Sequence, residues 1–454
     1  MGIIPNLTQK EQMLKEIGYS SIDELFADVP EKIRINGLNL PAAVSEFELR
    51  NEFNDIISTN QPVTELTSFL GAGAYHHTIP ALVPAILNRS EFYSCYTPYQ
   101  PELSQGILQA LFEYQSLVAE LTAMDATNTS MYDAPTALGE AALMAARITR
   151  KNEFIIPKSI HWDKFSVLKS YIHWVGLTIR EIPYAQETGE VDLEALKSAL
   201  NENTAGVYIE NPNLFGVFES RITEVKQLLE KTLLVVGVNP ISLGIIKPPG
   251  EYGADIVIGE FQPFGNPLNF GGPYNGLFAC RKEYIRKMPG RIIGLTQDTA
   301  GRQAFCMTLQ TREQYIRRDK ATSNICTNEA LCAVASALHL AALGKNGLIE
   351  LAKQNLLRGV HLATRMAELN GVQAPLFKSK HFNEFVVQLE VDSETILAEL
   401  AKQNILGGVP LKKYFPEVGE AFLVSTTEVH TAEDYTNYIN ALKQILADQP
   451  GGGQ

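Results

Sequence analysis

Leu233-Leu234-Val235-Val236-Gly237-Val238-Asn239-Pro240 and Ile256-Val257-Ile258-Gly259-Glu260-Phe261-Gln262-Pro263 are short apolar runs that stop abruptly at polar residues and proline. Branched runs of that length, bounded by turn formers, read as strands buried on both faces. Similar runs lie at 154–156, 177–182, 206–209 and 277–280. Helical patterns at 193–200 and 222–229 separate several of them. Strand, helix, strand in succession implies right-handed crossovers and a mainly parallel sheet covered by helices. Such sheets bind ligands at the carboxyl ends of their strands.

Outward from this centre, Ser104 opens a helical pattern with Ile107, Leu108, Leu111, Leu117, Val118 and Leu121 on one face. The first sixty-odd residues are polar and helix-leaning. Ser21 and Glu24 have capping-box spacing. Residues 40–57 read as an amphipathic helix with Val44, Phe47, Leu49 and Phe53 as its apolar positions. After residue 324 come helical patterns at 328–343 and 347–369, strand-like 385–389, a helix at 393–402 and strand-like 421–425. The expected organisation is an N-terminal arm (1–66), a large α/β domain (67–325), a smaller α+β domain (326–447) and a disordered tail (448–454).

The 454 residues carry 38 Lys+Arg against 51 Asp+Glu, a formal charge of −13. An acidic surface argues against wrapping nucleic acid or lying on an anionic membrane. Apolar residues make up 45%, enough for a large core. Cys95, Cys280, Cys306, Cys326 and Cys332 are odd in number and contain no Cys-x-x-Cys pair. They read as reduced thiols of a cytoplasmic chain. The first residues lack the basic and apolar regions of a signal peptide. The apolar stretch 331–343 is too short to span a bilayer.

Five segments have the composition of a site. Residues 68–77 hold Gly71, Gly73 and the pair His76-His77, without the third glycine of a dinucleotide fingerprint or metal spacing, and read as a tight loop. Tyr93, Tyr96, Thr97, Tyr99, Gln100 and Glu102 crowd a proline-stiffened loop before a helix; their hydroxyls can hold a small polar substrate or simply pack. Residues 130–137 lead into a helix whose N-terminus would suit a phosphate, but Pro135 removes a donor and Asp133 repels an anion. Gly271-Gly272 and Gly276 permit close backbone approach, or form a plain turn. Residues 317–328 are basic and hydroxylic, in keeping with an anion contact or a solvated linker.

Taken together, 68–75, 79–83, 89–109, 114–124, 130–132, 271–278 and 320–330 resemble the glycine decarboxylase P-protein family of the glycine cleavage system. More narrowly they resemble its subunit 1, the N-terminal-half subunit found where that enzyme is split into two chains. The resemblance implies a PLP-dependent transferase-like architecture of fold type I. Such enzymes need a Schiff-base lysine and an acid beside the pyridine nitrogen. On that pattern Asn239 stands at the acid position and Pro263 at the lysine position, while Lys247 reads as a surface residue. With the cradle at 133–136 also impaired, this chain is expected not to anchor pyridoxal phosphate, which a homologous subunit 2 would hold.

The implied function is decarboxylation of glycine together with subunit 2, two copies of each chain. The aminomethyl group passes to the lipoyl arm of the H-protein and CO2 leaves. From this chain the 96–102 loop is expected to wall the pocket, and Gly271-Gly272 to reach the partner's cofactor phosphate. Two rivals stay open: a scaffolding or regulatory pseudoenzyme, and an autonomous PLP enzyme with an unrecognised lysine.

Overall fold

The computed structural model describes residues 7–35, 37–95, 98–325 and 327–448. Tyr96, Thr97 and Cys326 lie outside the described residues, as does the 449–454 part of the expected tail. The chain forms two compact units, residues 1–61 and 62–454. In the first, helices span Lys10–Glu16 and Glu46–Ile57. Ser45 and Glu48 close a capping box on the second helix. Among its described residues only Leu14 is buried, and Phe47, Leu49 and Phe53 are exposed.

The second unit is built on a seven-stranded sheet. From one edge its strands are Ala126–Thr127, Gly276–Cys280, Ile256–Glu260, Leu233–Val238, Thr204–Asn211, Glu153–Pro157 and Thr178–Ile182. The last five run parallel to one another, and Gly276–Cys280 pairs antiparallel on both sides. The expected α/β, mainly parallel class is the one found. All six apolar runs became strands: Leu233–Val238 is unchanged, 177–182 loses its first residue, and the other four are lengthened by one to four residues.

Alternation along the strands sends successive side chains to opposite faces. Val207, Ile209, Leu234, Val236 and Val257 face a core shared with the helix Gln105–Thr122 and with Ala333 and Leu340. Tyr208, Val235, Ile256, Ile258 and Phe278 face the other core, under the helix Ala134–Thr149. Both faces are covered, which explains why the strands read as unbroken apolar runs.

The helix Ala330–Met366 is long and apolar enough to cross a membrane by composition. It is broken at Gly344 (φ 58°, ψ −176°), and its first half packs Ala333, Val334 and Leu340 into the sheet core. Beyond it, Val372–Gln373, Glu384–Leu389, Ala421–Ser425 and Val409–Pro410 form an antiparallel sheet in that order. Helices Ser393–Ala401 and Ala432–Ala447 pack on it. The strand Thr67–Ser68 pairs with Ile405–Leu406, tying the 68–77 loop to this C-terminal layer.

Candidate functional site

Three parallel strands end side by side in Glu210-Asn211, Val238-Asn239 and Glu260, where this fold class places its ligands. A cavity of about 50 Å³ lies against these ends. Glu210, Asn239, Glu260 and Pro263 line it, with His161 and Lys164 from the helix Trp162–Ile172 and with Tyr75 and Glu384 from the C-terminal side. A volume of that size holds a few waters.

The charges inside are held by the chain itself. His161 caps its helix, accepting from the Asp163 N–H at 3.1 Å, and Lys164 follows three residues on. That spacing puts both on one face. Lys164 pairs with Glu210, which also accepts from the Tyr208 hydroxyl at 2.7 Å. Burial lowers the His161 imidazole to about 3, so the ring is neutral. Glu384 accepts from the Ala72 N–H at 2.6 Å and from the Tyr75 hydroxyl at 2.7 Å. Its burial outweighs these bonds and lifts the carboxyl to about 7. Gln262, next to the lining Pro263, exchanges two 3.1 Å bonds with the Tyr75 backbone and locks the 68–77 loop down.

Asn239 folds back on its own turn, accepting from the Ile241 N–H at 3.1 Å. Lys247 pairs with Glu251 on the surface, 62% exposed. Tyr99, Gln100 and Glu102 are exposed and do not line the cavity. Tyr99 instead accepts from Arg291 at 3.0 Å, with the guanidinium 5.2 Å from its ring centroid. Gly271 and Gly272 sit in a separate turn with φ of 107° and 143°. The structure therefore brings Asn239 and Pro263 together and leaves Tyr99, Gln100, Glu102 and the glycine turn outside the cavity.

His161, Lys164, Glu210 and Glu384 escaped sequence reasoning. The available signal was a carboxylate closing an apolar strand, as in Ile209-Glu210 and Gly259-Glu260. His161, Lys164 and Glu384 reach the cavity only through tertiary packing.

The residues present do not fit a covalently held pyridoxal phosphate. Lys164 is the only lysine among the described lining residues, and it is committed to Glu210. No carboxylate stands at Asn239 to pair with a pyridinium nitrogen. The first-turn N–H groups of the helix Ala134–Thr149 already have acceptors: Ala134 on Glu260 at 3.0 Å and Thr136 on Asp133 at 2.7 Å.

The family model described as "Glycine cleavage system P-protein" matches residues 2–442. A relative in Thermococcus kodakarensis, named "Probable glycine dehydrogenase (decarboxylating) subunit 1", is 50% identical and covers 98% of each chain. One of the same name in Desulfitobacterium hafniense is 48% identical, covering 98% of this chain and all of its own. Among solved structures, an inhibitor-bound glycine decarboxylase (P-protein) of the glycine cleavage system superposes with a TM-score of 0.90. It is 37% identical over 98% of this chain and 100% of its own. A sphingosine-1-phosphate lyase from Burkholderia pseudomallei shares the fold at 13% identity, covering 92% of this chain and 94% of its own, TM-score 0.66. The architecture is that of PLP-dependent enzymes of fold type I, as expected from the sequence.

Proposed function

Because the chain belongs to the glycine cleavage system P-protein family, we propose that it is the subunit of a split glycine decarboxylase that leaves pyridoxal phosphate to its partner. With subunit 2 it catalyses decarboxylation of glycine and transfer of the aminomethyl group to the lipoyl arm of the H-protein, releasing CO2. The cofactor, when bound by subunit 2, supplies the electron sink.

The observation that carries this reading is the cavity at the strand ends. Where an autonomous enzyme needs a free lysine, an acid and an open anion cradle, this chain presents Pro263, Asn239 and a cradle filled by Glu260. The pseudoenzyme and the autonomous enzyme are the weaker readings. Full-length likeness to relatives named as a glycine dehydrogenase subunit favours a working part of that enzyme.

In this proposal Tyr96, Thr97, Tyr99, Gln100 and Glu102 wall a pocket completed across the subunit interface. Tyr99, held by Arg291, gives the loop a fixed anchor. The Gly271-Gly272 turn carries no neighbour at its Cβ positions closer than 3.6 Å, which leaves its backbone free to approach the partner's cofactor phosphate. Two copies of each chain, a cytoplasmic location, and no nucleic-acid or membrane partner complete the reading.

The test is an absorbance titration with pyridoxal phosphate, of this chain alone and then with subunit 2. No cofactor band alone, followed by a band and glycine-dependent CO2 exchange on mixing, is expected. Covalent attachment to a lysine of this chain, trapped with borohydride and mapped, would overturn the proposal. Phe substitutions at Tyr96 and Tyr99 are expected to lower turnover of the mixed enzyme, and unchanged turnover would remove that loop from the pocket.

A further inference from the structure

The cofactor mismatch has a specific structural cause at one end of the Ala134–Thr149 helix. An α-helix starts with N–H groups that lack intrahelical partners, and an anion seated there is favoured by those groups and by the helix dipole. Here the N-cap Asp133 N–H donates to Thr136 Oγ1 at 3.2 Å, and the first-turn positions are accounted for as well. Ala134 N–H donates to Glu260 Oε2 at 3.0 Å, Pro135 has no N–H, and Thr136 N–H donates to Asp133 Oδ1 at 2.7 Å.

Glu260 does more than cap. Its other oxygen, Oε1, accepts from Asn275 N–H at 3.0 Å and Gln262 N–H at 3.2 Å. One carboxylate thus takes three backbone N–H groups from three segments, as a bound oxyanion would. The approach depends on Gly276, which bridges Met131 in antiparallel fashion. A Cβ at Gly276 would lie 2.4 Å from the Asp133 carbonyl oxygen, so only glycine lets the helix start come this close to the strand.

We propose that Glu260 is a built-in occupant of the anion seat and closes this chain's own strand-end cavity to phosphorylated ligands. This shares the Glu260 contact with the preceding reading, and the two fail separately: phosphate binding tests the seat, whereas lysine trapping and mixing with subunit 2 test where the cofactor is held. The shared chemistry excluded is the phosphate dianion, free or attached to an organic group.

The probe is inorganic phosphate, followed on the full-length chain by thermal unfolding and by ³¹P line broadening. In wild type, millimolar phosphate is expected to leave the unfolding midpoint unmoved. In Glu260→Ala the three freed N–H groups form an empty nest, and phosphate is expected to bind about 10-fold tighter than to wild type or better and to raise the midpoint. Equal responses in both proteins, or none in the variant, would overturn the proposal. Should Glu260→Ala fail to fold, Glu260→Ser removes the charge while leaving a hydroxyl near the seat, with the same expectation. Independently, the Ala134 amide in wild type is expected to exchange its hydrogen slowly, and exchange at the rate of a free exposed amide would contradict the seat.

Discussion

Glu384 puts the consequences of burial on one atom group. It lies 5% exposed beside Tyr75, with Lys164 and Glu210 also acting on it electrostatically. Because burial raises its folded-state pKa to about 7, its contribution to stability is full below the ordinary carboxylate value. That contribution is lost as pH rises through about 7. The loss is on the order of 3 kcal/mol for a shift of this size. Denaturant midpoints measured between pH 5 and pH 8 are expected to fall for wild type, and less for Glu384→Gln. Identical slopes would mean that Glu384 does not titrate in this window. Gly237 makes a steric prediction beside it. A Cβ there would sit 2.2 Å from the Tyr208 hydroxyl, which is hydrogen-bonded to Glu210. Gly237→Ala is expected to cost about 1–3 kcal/mol in urea unfolding, by overpacking and by displacing Tyr208 from Glu210.

At the scale of elements, helix ends are where local sequence acts most directly. Thr431 accepts from the Asp434 N–H, and the Asp434 carboxylate takes the Thr431 N–H in return. The helix they start, Ala432–Ala447, buries Tyr435, Tyr438, Leu442 and Ile445 against the C-terminal sheet. Thr431→Ala is expected to lower stability by about 1 kcal/mol, read as an earlier midpoint with an unchanged denaturant slope. A changed slope would instead mean that the helix frays separately from the sheet. The same logic explains the two capping boxes at Ser45 and Asp133, both of which start helices in regions read as helical from sequence. The hairpin of Ile292–Gln297 with Gln303–Thr308 was not foreseen. Ile292-Ile293 and Ala304-Phe305-Cys306-Met307 are apolar, but the first strand runs out into exposed residues and the second is only alternately buried, so neither has the two-sided burial of the central strands.

For the whole molecule, every core cluster draws its buried residues from Phe69 onward. The unit 62–454 therefore contains its own complete core, whereas among the described residues of 1–61 only Leu14 is buried. A chain beginning at Pro62 is expected to unfold in a single cooperative transition within a few degrees of the full-length midpoint. Loss of that transition would show that residues 62–454 are not a self-sufficient folding unit. The assembly-level prediction is the gain of cofactor absorbance and CO2 exchange only on mixing with subunit 2.

Sequence alone determined the layered α/β class, because strands covered on both faces must read as short apolar runs, and their alternation with helices leaves little choice of topology. It also named Asn239 and Pro263, the residues on which the proposed reading of the cofactor site turns, since these are identities and need no coordinates. What surrounds them was decided by tertiary structure. Glu260 meets the Ala134 N–H across 126 residues, and Glu384 meets Ala72 across 312. Carboxylates so distant in the chain carry no local signal of a shared cavity. Only sheet register and the folding-back of the C-terminal layer place them there, and burial then gives them the shifted proton affinities that set the site's character.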